Sequence, residues 1–245
     1  MPSHVFLPAL LASGGVALVA TGSIAVLWMT PHRLQRWLPW LQAIAAGLLL
    51  GDALLHMLPE ATAHGLKAAG TGPLLATGVL VFLLAEGVVR MFGRGPTAAF
   101  ARMDLAGDAL HHFADGVVIG AAFTVSDTLG MLVALAIAGH ELPREVGNAA
   151  VLVSGGQSPQ RAVAWTLATA AMVPAGALAV VLLGHDPATV AAMLAVVAGA
   201  TLYFVCGDLL PALWTRLEHG RRYAPMLGVL AGLAFMWLAT LLPVH

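Results

Sequence analysis

The chain has 245 residues, of which 60% are hydrophobic and 9% charged, with a formal net charge of −1 and a mean hydropathy of +0.89. Soluble domains carry about 25% charged residues, so the composition excludes an ordinary soluble domain and describes a polytopic membrane protein. The charge gives no reason to expect nucleic acid as a partner, and a single cysteine, Cys206, rules out an intrachain disulfide or a cysteine-rich zinc site.

Apolar stretches able to cross about 30 Å of hydrocarbon fall at about 5–29, 40–62, 71–92, 103–124, 129–154, 161–183, 188–213 and 223–243. They predict an all-α chain of eight membrane helices joined by short loops, with residues 1–245 forming a single transmembrane domain. The first stretch has neither a charged n-region nor an A-x-A-like cleavage site, so it reads as a span and not a removed signal. Pro174 in the sixth is acceptable, because membrane helices tolerate proline.

Basic residues sort by loop. Arg33, Arg36, Arg90, Arg94, Arg102, Arg161, Arg216, Arg221 and Arg222 follow the odd spans or precede the even ones, whereas Lys67 stands alone on the other side. The positive-inside rule then makes the odd-to-even loops cytoplasmic and leaves both termini outside. A repeat is visible as HMLPE at 56–60 and DLLPA at 208–212, in spans two and seven. Those spans cross in opposite directions, as inverted-topology halves do.

Ionisable groups inside these spans carry the functional signal. Each costs roughly 2.5–3.5 kcal/mol to insert even on a lenient scale, so an intramembrane charge is a functional-site hypothesis by default. In span four Asp104, Asp108, His111 and Asp115 are spaced i, i+4, i+7, i+11 on one stripe, with His112 about 100° round from it. In span five Glu141, Glu145 and Asn148 share one face, and His140 and Arg144 share the next. Span two adds Asp52, His56 and Glu60 at i, i+4, i+8.

Imidazole and carboxylate at such spacing form a ligand set for divalent metals such as zinc. The alternative is a hydrogen-bonded polar network that glues helices together. His111, His112, Asp115, His140 and Glu141 near mid-span of consecutive helices favour metal. His56, Glu60, Asp108, Arg144, Glu145 and Asp208 read as path residues. Asp52 and Asp104 sit near cytoplasmic span ends and are expected to be solvated, and Glu86 stands alone in span three. Pro143 frees the carbonyl of Gly139. Gly116 and Gly120 form a GxxxG face for helix packing.

GDALLHMLPEA (51–61), GDALHHFADGVVIGAAF (107–123), GHELPREVGN (139–148) and LYFVCGDLLPAL (202–213) resemble the ZIP family of zinc and iron transporters. They look like the subfamily with HNFxDG in helix four and HExPHE in helix five. The resemblance implies a ZIP-like transporter domain with a two-metal centre between helices four and five and uptake toward the cytoplasm. Its first metal site maps onto His111, Asp115, His140 and the position of Arg144, its second onto His112 and Glu141.

Three positions depart from the pattern. Arg144 replaces the second histidine of HExPHE, Asn148 stands where the subfamily has Asp, and the loop between spans three and four is short and lacks histidine. A guanidinium has no lone pair for a metal. The expectation is therefore one ion, held mainly by His112 and Glu141 with help from His111 and His140. Arg144 would take the place of the second ion and pair with one carboxylate.

The substrate expected is Zn2+, with Fe2+, Mn2+ and Cd2+ also suited to these ligands. The partners are a divalent ion and the lipid bilayer, with a homodimer left open. The short loops point to a bacterial inner membrane. Two rival readings are an intramembrane zinc hydrolase, in which an acidic base activates metal-bound water, and a metal-binding relative that does not transport.

Overall fold

The computed structural model describes residues 3–92, 96–183, 186–215 and 223–241, and among them every regular element is helical. α1 runs from Ser3–Val19 into a 3-10 stretch, Ala20–Trp28. α2 joins Pro31–Gly51, a π turn at Asp52–Met57 and Leu58–Ala63. α3 is Ala68–Phe92, α4 is Pro96–Val125 and α5 is Asp127–Ser154. α6 joins Pro159–Ala170 to Met172–Leu183. α7 joins Pro187–Tyr203, a π turn at Phe204–Leu209 and Leu210–Thr215. α8 is Tyr223–Thr240. The protein is an all-α polytopic membrane protein.

Local chemistry sets the helix ends. Thr30, Ser126, Ser158 and Asp186 cap α2, α5, α6 and α7, each accepting a hydrogen bond from the backbone N–H three residues on. In three of these caps proline follows directly, where its missing N–H costs nothing. Asp186 also accepts from the Thr189 hydroxyl, and these bonds hold its carboxyl below the usual carboxylate range. α2 and α5 both stop at a glycine with positive φ, Gly65 at 92° and Gly156 at 91°. In each case the next N–H reaches back five residues, Leu66 to Ala61 and Gln157 to Leu152, the Schellman closure that favours glycine.

Prolines inside the rods act differently. α5 continues unbroken through Pro143. α6 breaks at Ala171, three residues before Pro174, and the Ala171 N–H turns tightly back to Ala168. The two segments matched in sequence also share a conformation, because each Leu-Pro pair follows a six-residue π turn. Leu58 N–H donates to Ala53 and Leu210 N–H to Val205, an i−5 bond in both. Pro59 and Pro211 cannot donate to the i−4 carbonyl, and widening the preceding turn relieves that conflict.

By length and hydropathy, five helical stretches among the described residues can cross a membrane: Phe6–Trp28, His32–Ala63, Ala68–Val88, Pro159–Leu182 and Pro187–Trp214. α4 and α5 fall short because the Asp, Glu, His and Arg gathered between them interrupt the apolar run. Large apolar side chains line the outside of α3 and α8, including Leu80, Leu84, Met91, Leu227, Leu230 and Trp237. Such a surface is stable against lipid, where the polar groups must turn inward.

α4 is the central rod, packed against α1, α3, α5, α6 and α7. Its closest approach is to α6. A Cβ on Gly116 would overlap the Val173 carbonyl, and one on Gly176 would overlap the Phe113 carbonyl. Gly116→Val is therefore expected to destabilise the protein by about 1–3 kcal/mol through overpacking. Gly87→Ala, whose Cβ meets nothing within 4 Å, is expected to leave stability unchanged. Thermal unfolding of the two purified variants in detergent checks the pair.

Candidate metal centre

The site forms where α4 crosses α5. The stripe Asp104, Asp108, His111 and Asp115 is buried, as are His112 beside it and Glu141, Arg144 and Glu145 on α5. α2 brings Asp52 and α6 brings Thr169, both buried. Asp52 opens the π turn of α2 and His56 lies within it. The Thr169 hydroxyl donates to Asp108 Oδ2 in a short contact.

Arg144 is 2% exposed and sits among three carboxylates. Its Nε–H donates to Glu141 Oε1 at 2.7 Å. One terminal amine donates to Asp108 Oδ1 at 2.6 Å. The other donates to Glu141 Oε2 at 2.7 Å and Glu145 Oε1 at 2.9 Å, and lies 2.8 Å from His112 Nε2. The expectation of one carboxylate partner is thus replaced by three, because Asp108 and Glu145 lie one helical turn to the inner side and the guanidinium fork spans them. His112 and Glu141, expected to carry the ion, are among the groups that Arg144 touches.

His111 lies on the other side of Glu141. Its Nδ1 faces Asp52 Oδ2 at 3.2 Å. Its Nε2 faces Asp115 Oδ2 at 3.4 Å and Glu141 Oε1 at 3.3 Å. Asp52 Oδ1 in turn meets His56 Nδ1 at 2.9 Å. Asp115 Oδ2 is buried and accepts no hydrogen bond among the described residues. Two trios of buried side chains each bring one ligand atom within 4.8 Å of one another: Asp52, His111 and Asp115, and Asp108, His112 and Glu145. Both fit a divalent ion in ligand type.

A cavity of about 620 Å³ opens beside the first trio, between α2, α4, α5 and α8, lined by His56, Glu60, His64, Val133, Ile137 and Met236 among others. On the far side of Arg144 a void of about 10 Å³ lies among Asp104, Asp108, Arg144 and Asn148, room for about one water.

Several side chains are placed differently from what the sequence alone suggests. Asp52 and Asp104 are buried and not solvated, because α2 and α7 cover the inner half of α4. Asp52 was detectable through its i, i+4 spacing with His56. Glu86 is not alone, since it accepts from Arg90 Nε in a short contact and from the Tyr203 hydroxyl at 2.6 Å. Asp208 belongs with that group, 3.4 Å from Arg90, and not with the central residues. Thr169 had no sequence signal at all. The side chain of His140 lies outside those described.

The ZIP zinc transporter family matches residues 95–240. "Zinc transporter ZIP10" of Danio rerio is 35% identical over 156 residues, 60% of this chain and 18% of its own. "Zinc transporter ZIP4" of Mus musculus is 42% identical over 107 residues, 44% of this chain and 16% of its own. "Zinc transporter ZIP13" of Pongo abelii is 31% identical over 221 residues, 82% of this chain and 66% of its own. The match therefore spans less than a fifth of the length of the first two relatives. These relatives are named as transporters and not as enzymes.

A carboxylate behind the non-ligating nitrogen of a histidine fixes its tautomer and ring orientation, and losing it costs about 10–100-fold in metal affinity. Asp52→Asn is expected to weaken zinc binding by about that factor, read by calorimetry on purified protein.

Proposed function

Because the chain belongs to the ZIP zinc transporter family, we propose that it carries a divalent cation, zinc first, across a membrane toward the cytoplasm. The central site lies between α4 and α5, among His111, His112, Asp115, Glu141 and, from the sequence alone, His140. The observation that carries this reading is a dense group of buried acidic side chains. Six carboxylates, Asp52, Asp104, Asp108, Asp115, Glu141 and Glu145, are buried together with one arginine. Ionised carboxylates in low dielectric are strongly unfavourable unless cations join them, so the group favours a cation as its guest.

The rest of the path follows from charge and shape. The positive-inside sorting puts both termini and the 620 Å³ cavity on the outer side, so an ion would arrive past Glu60 and His56. Asp108, Glu145 and, further inward, Asp208 line the way toward the cytoplasmic face. The short loops suit a bacterial inner membrane. Iron, manganese and cadmium would compete for the same ligands, and the whole forms one transporter domain.

Uptake of radiolabelled zinc into vesicles holding the pure protein tests the reading. His111→Ala and Asp115→Ala are expected to lower uptake by about tenfold or more, with normal membrane insertion. Near-wild-type uptake in both would move the site elsewhere, and binding without any uptake would leave a metal-binding relative that does not transport. Imidazole must be neutral to bind metal, so affinity is expected to fall between about pH 7.5 and about pH 5.5. Calorimetry at the two values checks the direction.

A further inference from the structure

The two donor trios differ in what they already contain. Asp108 Oδ1, Glu145 Oε1 and His112 Nε2 all lie against the Arg144 guanidinium, at 2.6, 2.9 and 2.8 Å. Each of these three side chains thus already faces a cation. His112 Nε2 also faces Glu145 Oε1 at 2.8 Å and Glu141 Oε2 at 3.1 Å, so that nitrogen is engaged by the arginine–carboxylate cluster. Among the described residues no arginine or lysine faces the other trio. Asp52 backs the Nδ1 side of His111 and turns Nε2 toward Asp115 and Glu141. The Asp115 oxygen there accepts no hydrogen bond.

We propose that the Arg144 guanidinium is the permanent occupant of one of two cation positions. The chain then holds its divalent ion singly, at Nε2 of His111 with Asp115 and Glu141. This deepens the transport reading above and rests on it. Asp52 is a positioning residue in this arrangement, and Glu141 is shared, with Oε1 turned to both the ion and the arginine. Depth follows as well. Along α5 the sequence runs inward from Glu141 to Arg144 and Glu145, so the fixed cation lies on the cytoplasmic side of the ion and beside the water-sized void. An arriving ion meets ligands from the open cavity and a like charge beyond them.

Elemental analysis of bound zinc after equilibrium dialysis tests the idea on the full-length protein in detergent. One ion is expected in the wild type and in Arg144→Lys, which keeps a cation. Two are expected in Arg144→Met, and one again when His112→Ala is added to it. Should Arg144→Met fail to accumulate, His111→Ala decides alone. Monodisperse protein that has lost its zinc supports the single position at His111, and protein that keeps it at unchanged affinity overturns it. Two ions in the wild type, or one in both wild type and Arg144→Met, also overturn it and leave the transport reading intact. A wild type that binds one ion but moves none into vesicles overturns the transport reading and leaves this inference standing.

Discussion

An arginine buried in a membrane helix bundle must be neutralised where it stands. Breaking such a pair leaves an uncompensated charge that costs about 3–5 kcal/mol, so Arg144 and its partners constrain everything around them. The guanidinium supplies a planar fork of donors, and here the fork engages Glu141 from its own helix and Asp108 from α4 together. That ties α4 to α5 at one rotation and one depth. Thr169 extends the tie to α6 through Asp108. The close approach of α4 and α6 at Gly116 and Gly176 is what brings the hydroxyl within reach. A larger residue at either glycine would push Thr169 away and leave Asp108 with the arginine alone.

The same polar network explains why the two central helices look least like membrane spans. α1, α2, α3, α6 and α7 are apolar enough to be recognised by hydropathy. α4 and α5 are not, because they spend their inward faces on charge. They are stable in a bilayer only as the centre of a bundle, screened by the other rods. Membrane proteins accept intramembrane charge where it faces protein or a wet cavity; here the charge of α4 and α5 is buried against protein, and the large cavity reaches His56 and Glu60 of α2.

The paired π turns show a backbone device serving chemistry. Each sits directly before a Leu-Pro and contains an aspartate, Asp52 in α2 and Asp208 in α7. A π turn shifts the face on which later residues emerge, and such turns are frequent at functional sites. In α2 the result is that Asp52 meets His56 and His111 together. In α7 it turns Asp208 toward Arg90 and the Glu86 carboxylate group at the other side of the bundle. Equivalent local structure thus supports a carboxylate–histidine cluster in one half and a helix-to-helix tie in the other.

What the sequence determined by itself was periodic and local. Apolar length gave a polytopic helical protein, and the 3.6-residue repeat put Asp104, Asp108, His111 and Asp115 on one stripe before any contact was known. The Leu-Pro pairs marked a repeat. Tertiary structure alone decided which stripe meets which. The reach of Arg144 to three carboxylates, the burial of Asp52 and Asp104, the partners of Glu86 and the role of Thr169 all depend on the relative rotation and depth of helices far apart in the chain. A helical stripe fixes directions around one axis, whereas a binding site is a distance between axes. Those distances come from packing, where small residues at α4 and α6 set how closely the rods approach.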